Sequence, residues 1–281
     1  MFRTRAYDPR THPRLAFTNM NTPVKSASRV LDILEYLSVT EKPIGVSDVA
    51  RRLRLPKSSA QALLKTLLGR GYVVCSELGY QLSPLIRNGE WIGSTSAKLN
   101  QMAKPIMERA ADATGETVFL GVLTPDWYVQ GLAKTASKND VRYDPDLTYL
   151  RPAYCTSLGL AIIAHLPEED RERFLRHGGF KRITPHTITD PLGLRRVLQK
   201  ARRDGYAENR GGRVIGASGI SAPVFGPNKK VVAAINLAAP TWRYSKIRLL
   251  LMANVIASAR ELTRALGGVS PSTGLPRVIR H

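Results

Sequence analysis

A change in the hydrophobic pattern near residue 83 divides this 281-residue chain into two parts and restricts its fold more than any other feature. Residues 26–82 contain three short apolar repeats at helical spacing, followed by two strand-like segments. Residues 100–266 alternate strand and helix patterns, as expected of a mixed α/β domain. Hydrophobic residues make up 43% of the chain, so each part can bury a core, which argues against global disorder.

The first part predicts three helices, over residues 28–37, 48–53 and 57–68. A Pro-Ile-Gly turn at 43–45 separates the first helix from the second. We predict Ser47 as the N-cap of the second helix, because its hydroxyl can accept a backbone N–H of the next turn.

The third predicted helix has an apolar arc and an opposite polar arc. Leucines fill the apolar arc, whereas Ser58, Ala62 and Lys65 lie on the polar arc with Ser59 and Gln61 beside them. Small hydroxyls, an amide and a lysine can approach a DNA groove and hydrogen-bond to phosphates and base edges. With nearby basic residues added, the predicted DNA contacts are Lys57, Ser58, Ser59, Gln61, Ala62, Lys65, Arg51 and Arg29.

Two predicted strands, at 72–75 and 80–82, enclose a turn and form a hairpin of the size of a wing. Helix, helix, turn, helix and hairpin within 60 residues is typical of a winged helix-turn-helix. Two other functions stay open at this point: a small-molecule sensor that acts through protein contacts, and an α/β enzyme with an accessory helical domain. A steep fall of DNA affinity with salt would separate a regulator from both.

Composition sets the expected domain boundaries and compartment. The segment 85–98 is rich in Gly, Ser and Asn, which suits a connection between domains. Cys75 and Cys155 fall in different parts, so we expect no disulfide framework and a reducing cytoplasm. The predicted organisation is a basic tail at 1–24, a DNA-binding domain at 25–83, a linker at 84–100, an effector-binding domain at 101–268 and a C-terminal tail at 269–281.

The formal charge of +20 favours a polyanionic partner, because neutralising phosphates releases counterions. Residues 83–281 hold 29 Lys and Arg against 16 Asp and Glu, so the excess lies mostly outside the predicted DNA-binding domain. The charge therefore supports nucleic acid as a partner without locating the contact surface. No run of about 18 apolar residues is present, so no membrane span is expected.

The sequence offers no catalytic arrangement. The five histidines lack metal-ligand spacing, and Cys155 has no sequence-proximal base to make it a nucleophile. The glycine-rich run at 211–216 lacks the strand-to-helix context of a phosphate loop. We therefore expect no enzyme, no cofactor and no metal.

From about residue 24 to 266 the chain resembles the IclR family of bacterial regulators. Its recognition helix is similar to the family's Leu-Pro-Lys-Ser-Thr pattern, although Ala62 stands where an arginine is common, so operator specificity is expected to differ. The motifs that carry the resemblance lie in order at 55–59, 114–118, 151–159, 184–191, 203–207, 221–225 and 233–236.

The resemblance implies an α+β fold: a winged helix-turn-helix joined by a linker helix to a GAF-like α/β effector-binding domain. It implies a transcriptional regulator that binds a double-stranded DNA operator as a homodimer or a dimer of dimers, modulated by a small organic acid. The Pro-Ala-Tyr form of the motif at 152–154 resembles the subgroup that responds to protocatechuate or p-hydroxybenzoate.

Residue by residue, the resemblance places Ser157, Leu158, Asn209, Gly219, Asn236 and Ala238 around the effector. We add their neighbours Tyr154 and Thr156 on chemical grounds. Residues 155–159 are expected at a helix start, where free N–H groups favour a carboxylate. Gly212 and Ala238 stand where family members often have Glu and Ser, and Leu160 where they have Lys or Arg, so a larger or less polar ligand, or altered sensing, is expected.

Overall fold

The structure is a computed structural model that describes residues 24–40, 42–76, 78–83, 86 and 95–270. The tails predicted at 1–24 and 269–281 and the linker predicted at 84–100 therefore lie mostly outside the described residues. A helix begins at Thr95, so the end of the predicted linker is already helical, and Leu99 is buried in the C-terminal core.

The N-terminal domain contains three helices and a hairpin, as predicted. The helices are α1 Lys25–Ser38, α2 Val46–Arg52 and α3 Lys57–Gly69. The hairpin pairs β1 Val73–Ser76 antiparallel with β2 Gly79–Leu82.

Helix α2 begins earlier than predicted. Gly45 is its N-cap and makes no side-chain cap, so Ser47 lies exposed within the first turn, and its predicted capping role is wrong. Ile44, just before the helix, bridges to Tyr80 on the hairpin with N–O distances of 2.8 and 2.9 Å. Gly79 permits this approach, because a Cβ there would lie 2.6 Å from the Ile44 carbonyl oxygen.

One apolar core holds the N-terminal domain together. Ile33 and Leu37 of α1 and Leu64 of α3 are completely buried in it. Leu31 of α1 lies outside this core and is 58% exposed. The leucines of α3 thus fix which side of that helix faces outward.

The C-terminal domain is built on a six-stranded antiparallel sheet. Its strands are β3 Thr117–Leu123, β4 Tyr128–Thr135, β5 Arg151–Pro152, β6 Ala207–Arg210, β7 Ala217–Phe225 and β8 Val231–Pro240, in the spatial order β5-β4-β3-β8-β7-β6. Its helices are α4 Thr95–Thr114, α5 Ser157–Ala164, α6 Glu168–His177, α7 Pro191–Asp204 and α8 Thr241–Ala265.

Alternating residues of the central strand β8 serve the two faces of the sheet. Ile235 and Leu237 join the core formed with α4 and α8, whereas Ala234 joins the core formed with α5, α6 and α7. Asn236 and Ala238 lie on the same side as Ala234, because strand side chains alternate. Strand β8 therefore turns the polar side chain of Asn236 toward the α5 layer.

The two domains are in contact through the wing. The backbone of Cys75 in β1 accepts from Leu150 N–H at 3.4 Å and donates to the Thr148 carbonyl at 3.3 Å, forming a parallel bridge. Below the wing, the Gln130 amide donates to the buried Ser83 hydroxyl at 3.1 Å. The segment 143–151 is thus joined to the hairpin of the N-terminal domain.

Candidate DNA interface and ligand cavity

The polar arc of α3 faces outward. Lys57, Ser58, Gln61, Ala62 and Lys65 are exposed, and Ser59 is half-buried, whereas the leucine arc is packed in the core. No Asp or Glu interrupts Lys57–Gly69, so the surface of this helix is free of negative side chains. The helix can therefore approach a polyanion without desolvating a carboxylate.

The two remaining predicted DNA contacts lie on other helices. Arg51 is exposed on α2, where it forms a 3.1 Å ion pair with Asp48. Arg29 is half-buried on α1. Arg52 and Arg54, which are not among the predicted contacts, are exposed beside Arg51 at the turn before α3. Three arginines within four positions make this turn strongly basic.

A cavity lies between the sheet and the N-terminal end of α5. Strands β3, β7 and β8 contribute its floor, and the segments 143–151 and 209–217 line its sides. Seven of the eight predicted effector residues line it: Thr156, Ser157, Leu158, Asn209, Gly219, Asn236 and Ala238.

Tyr154 does not line this cavity. Its hydroxyl donates to the Lys181 carbonyl at 2.6 Å, and its ring packs against Phe180 with centroids 5.2 Å apart. The 3₁₀ turn Ala153–Cys155 before α5 directs this side chain into the core instead. Closeness to Ser157 in the sequence therefore did not predict where the Tyr154 side chain points.

A small polar cluster crosses the cavity floor. The Ser157 hydroxyl oxygen accepts from the Ser221 hydroxyl and from the Asn236 amide, both at 2.9 Å. The same amide donates to the Ile220 carbonyl at 3.0 Å, which fixes the orientation of Asn236 in the interior of the sheet. The Ser157 O–H and the Asn236 Oδ1 atom bond no other described residue, so both stay available as a donor and an acceptor on the cavity floor.

Asn209 shapes the cavity wall rather than offering a free amide. Its Nδ2 donates to the Cys155 carbonyl at 3.0 Å, and its Oδ1 accepts the Gly212 N–H at 2.9 Å. A Cβ at position 212 would lie 2.7 Å from this amide nitrogen. A side chain at position 212 would therefore require the Asn209 amide to shift.

The N-terminal end of α5 is capped from within the chain. Thr156 is the N-cap, and its hydroxyl accepts the Gly159 N–H at 3.0 Å. Gly159 lets the helix pack on the preceding turn, because a Cβ there would lie 2.3 Å from the Ala153 carbonyl oxygen.

Sequence reasoning missed two arginines and several apolar residues of the cavity. Arg151 and Arg213 line it, together with Phe119, Tyr143 and Leu147. These residues come from three separate segments, and only the folded sheet brings them together. The available signal was the arginine that opens the motif at 151–159.

Comparison with known proteins agrees with this architecture. The family described as the IclR helix-turn-helix domain matches residues 26–75, and the bacterial transcriptional regulator IclR C-terminal family matches residues 94–265. The chain belongs to the IclR family. It is 32% identical over 246 residues to the HTH-type transcriptional regulator BhcR of Paracoccus denitrificans, covering 85% of this chain and 86% of the relative.

Solved IclR structures share the fold. An IclR transcriptional regulator from Silicibacter sp. TM1040 superimposes with a TM-score of 0.64 at 25% identity, covering 89% of this chain and 99% of that one. An IclR homolog from Microbacterium hydrocarbonoxydans, complexed with 4-hydroxybenzoate, gives a TM-score of 0.59 at 28% identity over 85% and 99% of the two chains. The predicted family and fold class are confirmed.

Membership of the IclR family makes this chain a DNA-binding transcriptional regulator, not an enzyme. Among the described residues, no group of His, Cys, Asp and Glu could hold a metal ion. Within that same part of the chain, no helix is long and apolar enough to cross a membrane.

The cavity thiol of this IclR-family chain is expected to be unreactive. Burial raises the pKa of Cys155 to about 11, although the positive charge of Arg213 lowers it. At pH 8 roughly one thiol in a thousand is then the reactive thiolate, and that fraction rises about tenfold per pH unit up to the pKa. Iodoacetamide should modify Cys155 in the native chain much more slowly than the half-buried Cys75, as followed by peptide mass spectrometry.

Labelling in urea is the control, since both thiols should then react alike. Rapid modification of Cys155 at pH 8 in the native chain would contradict its burial.

Proposed function

We propose that this regulator binds a specific double-stranded operator through α3 of paired subunits, and that a small organic acid in the cavity modulates this binding. The outward-facing polar arc of α3, held by the buried leucines behind it, carries the proposal. Lys57, Lys65 and Arg51 would contact phosphates, and Ser58 and Gln61 base edges. Ala62 would supply an apolar contact instead of the long donor common in the family.

The operator would be read by a homodimer or a dimer of dimers. Two α3 helices would enter half-sites about one helical turn apart. Leu31 of α1 and its C-cap residue Val39, which are 58% and 55% exposed, support pairing of the N-terminal domains, because a second copy would cover them.

The ligand would lie between the sheet and α5. Thr156, Ser157, Leu158, Asn209, Gly219, Asn236 and Ala238 line this space, which suits an organic acid with an apolar body. The relative complexed with 4-hydroxybenzoate supports an aromatic acid of the protocatechuate and p-hydroxybenzoate type. Tyr154 would act only by supporting the turn before α5.

The contact between the domains offers a route from ligand to DNA. Tyr143, Leu147 and Arg151 line the cavity, and the residues between them bridge to Cys75 of the wing. A ligand that prefers one position of this segment would therefore favour one placement of the N-terminal domain.

A salt titration of DNA binding tests the proposal. The full chain should bind the upstream region of its own gene more tightly than random duplex, with affinity falling steeply as salt rises. Lys65→Ala should weaken binding to every duplex and lower the salt slope by about one per lost phosphate contact. Gln61→Ala should change the preference among duplexes instead.

Lys104→Ala is the matched control, because Lys104 is an exposed lysine on α4 and its loss should leave the slope unchanged. If Gln61→Ala lowered the affinity for every duplex by the same factor, Gln61 would not contact base edges. Weak, salt-insensitive binding by the unmodified chain would refute the proposed function.

A further inference from the structure

The cavity lining carries two positive charges, and the one acidic side chain that acts on Arg151, Asp146, lies outside that lining. Arg151 enters from β5 and Arg213 from the loop between β6 and β7. No Asp or Glu is among the described residues that line the cavity. Two cations in a largely apolar space repel each other and are costly to desolvate unless an anion joins them.

Arg151 makes no ion pair within the cavity wall. Its guanidinium donates to the backbone carbonyls of Tyr149, at 3.1 Å, and of Asp146. The Asp146 carboxylate itself accepts from the N–H and the hydroxyl of Thr148. Burial lowers the pKa of Arg151, and the positive charge of Arg213 lowers it further, whereas the Tyr143 oxygen and the Asp146 carboxylate raise it.

Arg213 lines the cavity and forms no ion pair with a described residue. Its Nε atom is buried and has no hydrogen-bond partner among the described residues. The loop that presents it is fixed in advance, because Thr184 and Thr187 donate to the carbonyls of Gly211 and Gly212, each at 2.7 Å. A buried donor on a fixed loop indicates a site built for an acceptor that the protein does not supply.

We propose that Arg151 and Arg213 jointly bind the carboxylate of the ligand, and that its apolar body packs on Phe119 and Leu147. This inference rests on the proposed ligand-binding function and differs from the expectation that the start of α5 holds the acid. Thr156 already accepts one N–H of that helix end. The polar cluster of Ser157 and Asn236 then contacts the opposite, uncharged polar end of the ligand.

Paired acids and amides test the charge requirement. The probes are benzoate, 4-hydroxybenzoate, 3,4-dihydroxybenzoate, phenylacetate and hexanoate, each beside its primary amide, which has nearly the same shape without the charge. Thermal unfolding of the full chain is measured with each probe. At least one carboxylate should raise Tm, and its amide should not, since an amide cannot neutralise the two arginines.

Variants of Arg213 separate ligand binding from folding. Arg213→Gln should weaken the responding acid about tenfold to a hundredfold, while Tm without ligand stays unchanged or rises because repulsion with Arg151 is relieved. Arg213→Lys should recover part of the affinity. Arg210→Gln is the matched control: Arg210 is exposed, pairs with Glu208 and lies outside the cavity lining, so its loss should leave affinity unchanged.

Three results would overturn the arginine pair: no probe stabilises the chain, acid and amide stabilise it equally, or Arg213→Gln binds the acid as tightly as the unmodified chain. DNA affinity is measured in parallel without ligand. If the chain still binds its operator, only the arginine pair fails; if it does not, the proposed function fails on separate grounds.

Discussion

Replacing Arg243 by methionine is expected to lower the free energy of unfolding of the C-terminal domain by about 3 kcal/mol. Arg243, at the start of α8, forms a bidentate ion pair with Glu116 just before β3, and its Nη2–Oε2 distance is 2.9 Å. The Glu116 side chain is only 1% exposed. Methionine would leave this carboxylate buried without its counter-ion. The free-energy cost of an unpaired buried charge exceeds the net contribution of the intact ion pair to stability.

Arg109→Met is the matched control, because Arg109 also forms an ion pair with a residue far away in the chain, Glu261, but both of these side chains are about half exposed. Its loss should cost about 1 kcal/mol or less. Urea unfolding followed by circular dichroism compares the two variants. If both variants lost the same free energy of unfolding, burial of Glu116 would not make its ion pair more important for stability.

Replacing Leu64 by alanine is expected to destabilise the N-terminal domain by about 2–5 kcal/mol, a large share of what so small a domain can have. Leu64 is completely buried behind the polar arc of α3. Partial unfolding would remove the helix from its position, so DNA affinity should fall at least about tenfold. Both urea unfolding and DNA binding of the full chain should report the change.

Leu249→Ala provides the comparison, since Leu249 on α8 is 68% exposed and the same atoms are removed. Its effect on stability should stay within about 0.5 kcal/mol. If Leu64→Ala retained full DNA affinity and stability, the leucine arc would not be what holds α3 in place.

Local patterns predicted the N-terminal domain closely. The leucines of α3 recur at helical spacing, so the buried arc and the polar arc followed from the sequence alone. The N-cap of α2 could not be predicted in this way, because Ser47 and Gly45 are both acceptable N-cap residues. The bridge from Ile44 to the hairpin places the start of the helix at Val46.

The cavity was predicted only in part. Ser157, Asn209 and Asn236 were placed by resemblance, and the structure brings them together. Arg151 and Arg213 lie 62 positions apart in the chain, and neither occurs in a periodic pattern that marks a shared site. Tyr154 was expected beside the ligand because it is close to Ser157 in the sequence. It lies on the 3₁₀ turn before α5, which directs its side chain into the core and away from the cavity.

The sequence by itself determined the order of elements, the family and the side of α3 that faces outward, because these depend on residues a few positions apart. The tertiary structure decided which distant loops meet around the cavity and which charges lack a partner there. Those features arise from strand order and loop position, which set distances between residues that no local pattern connects.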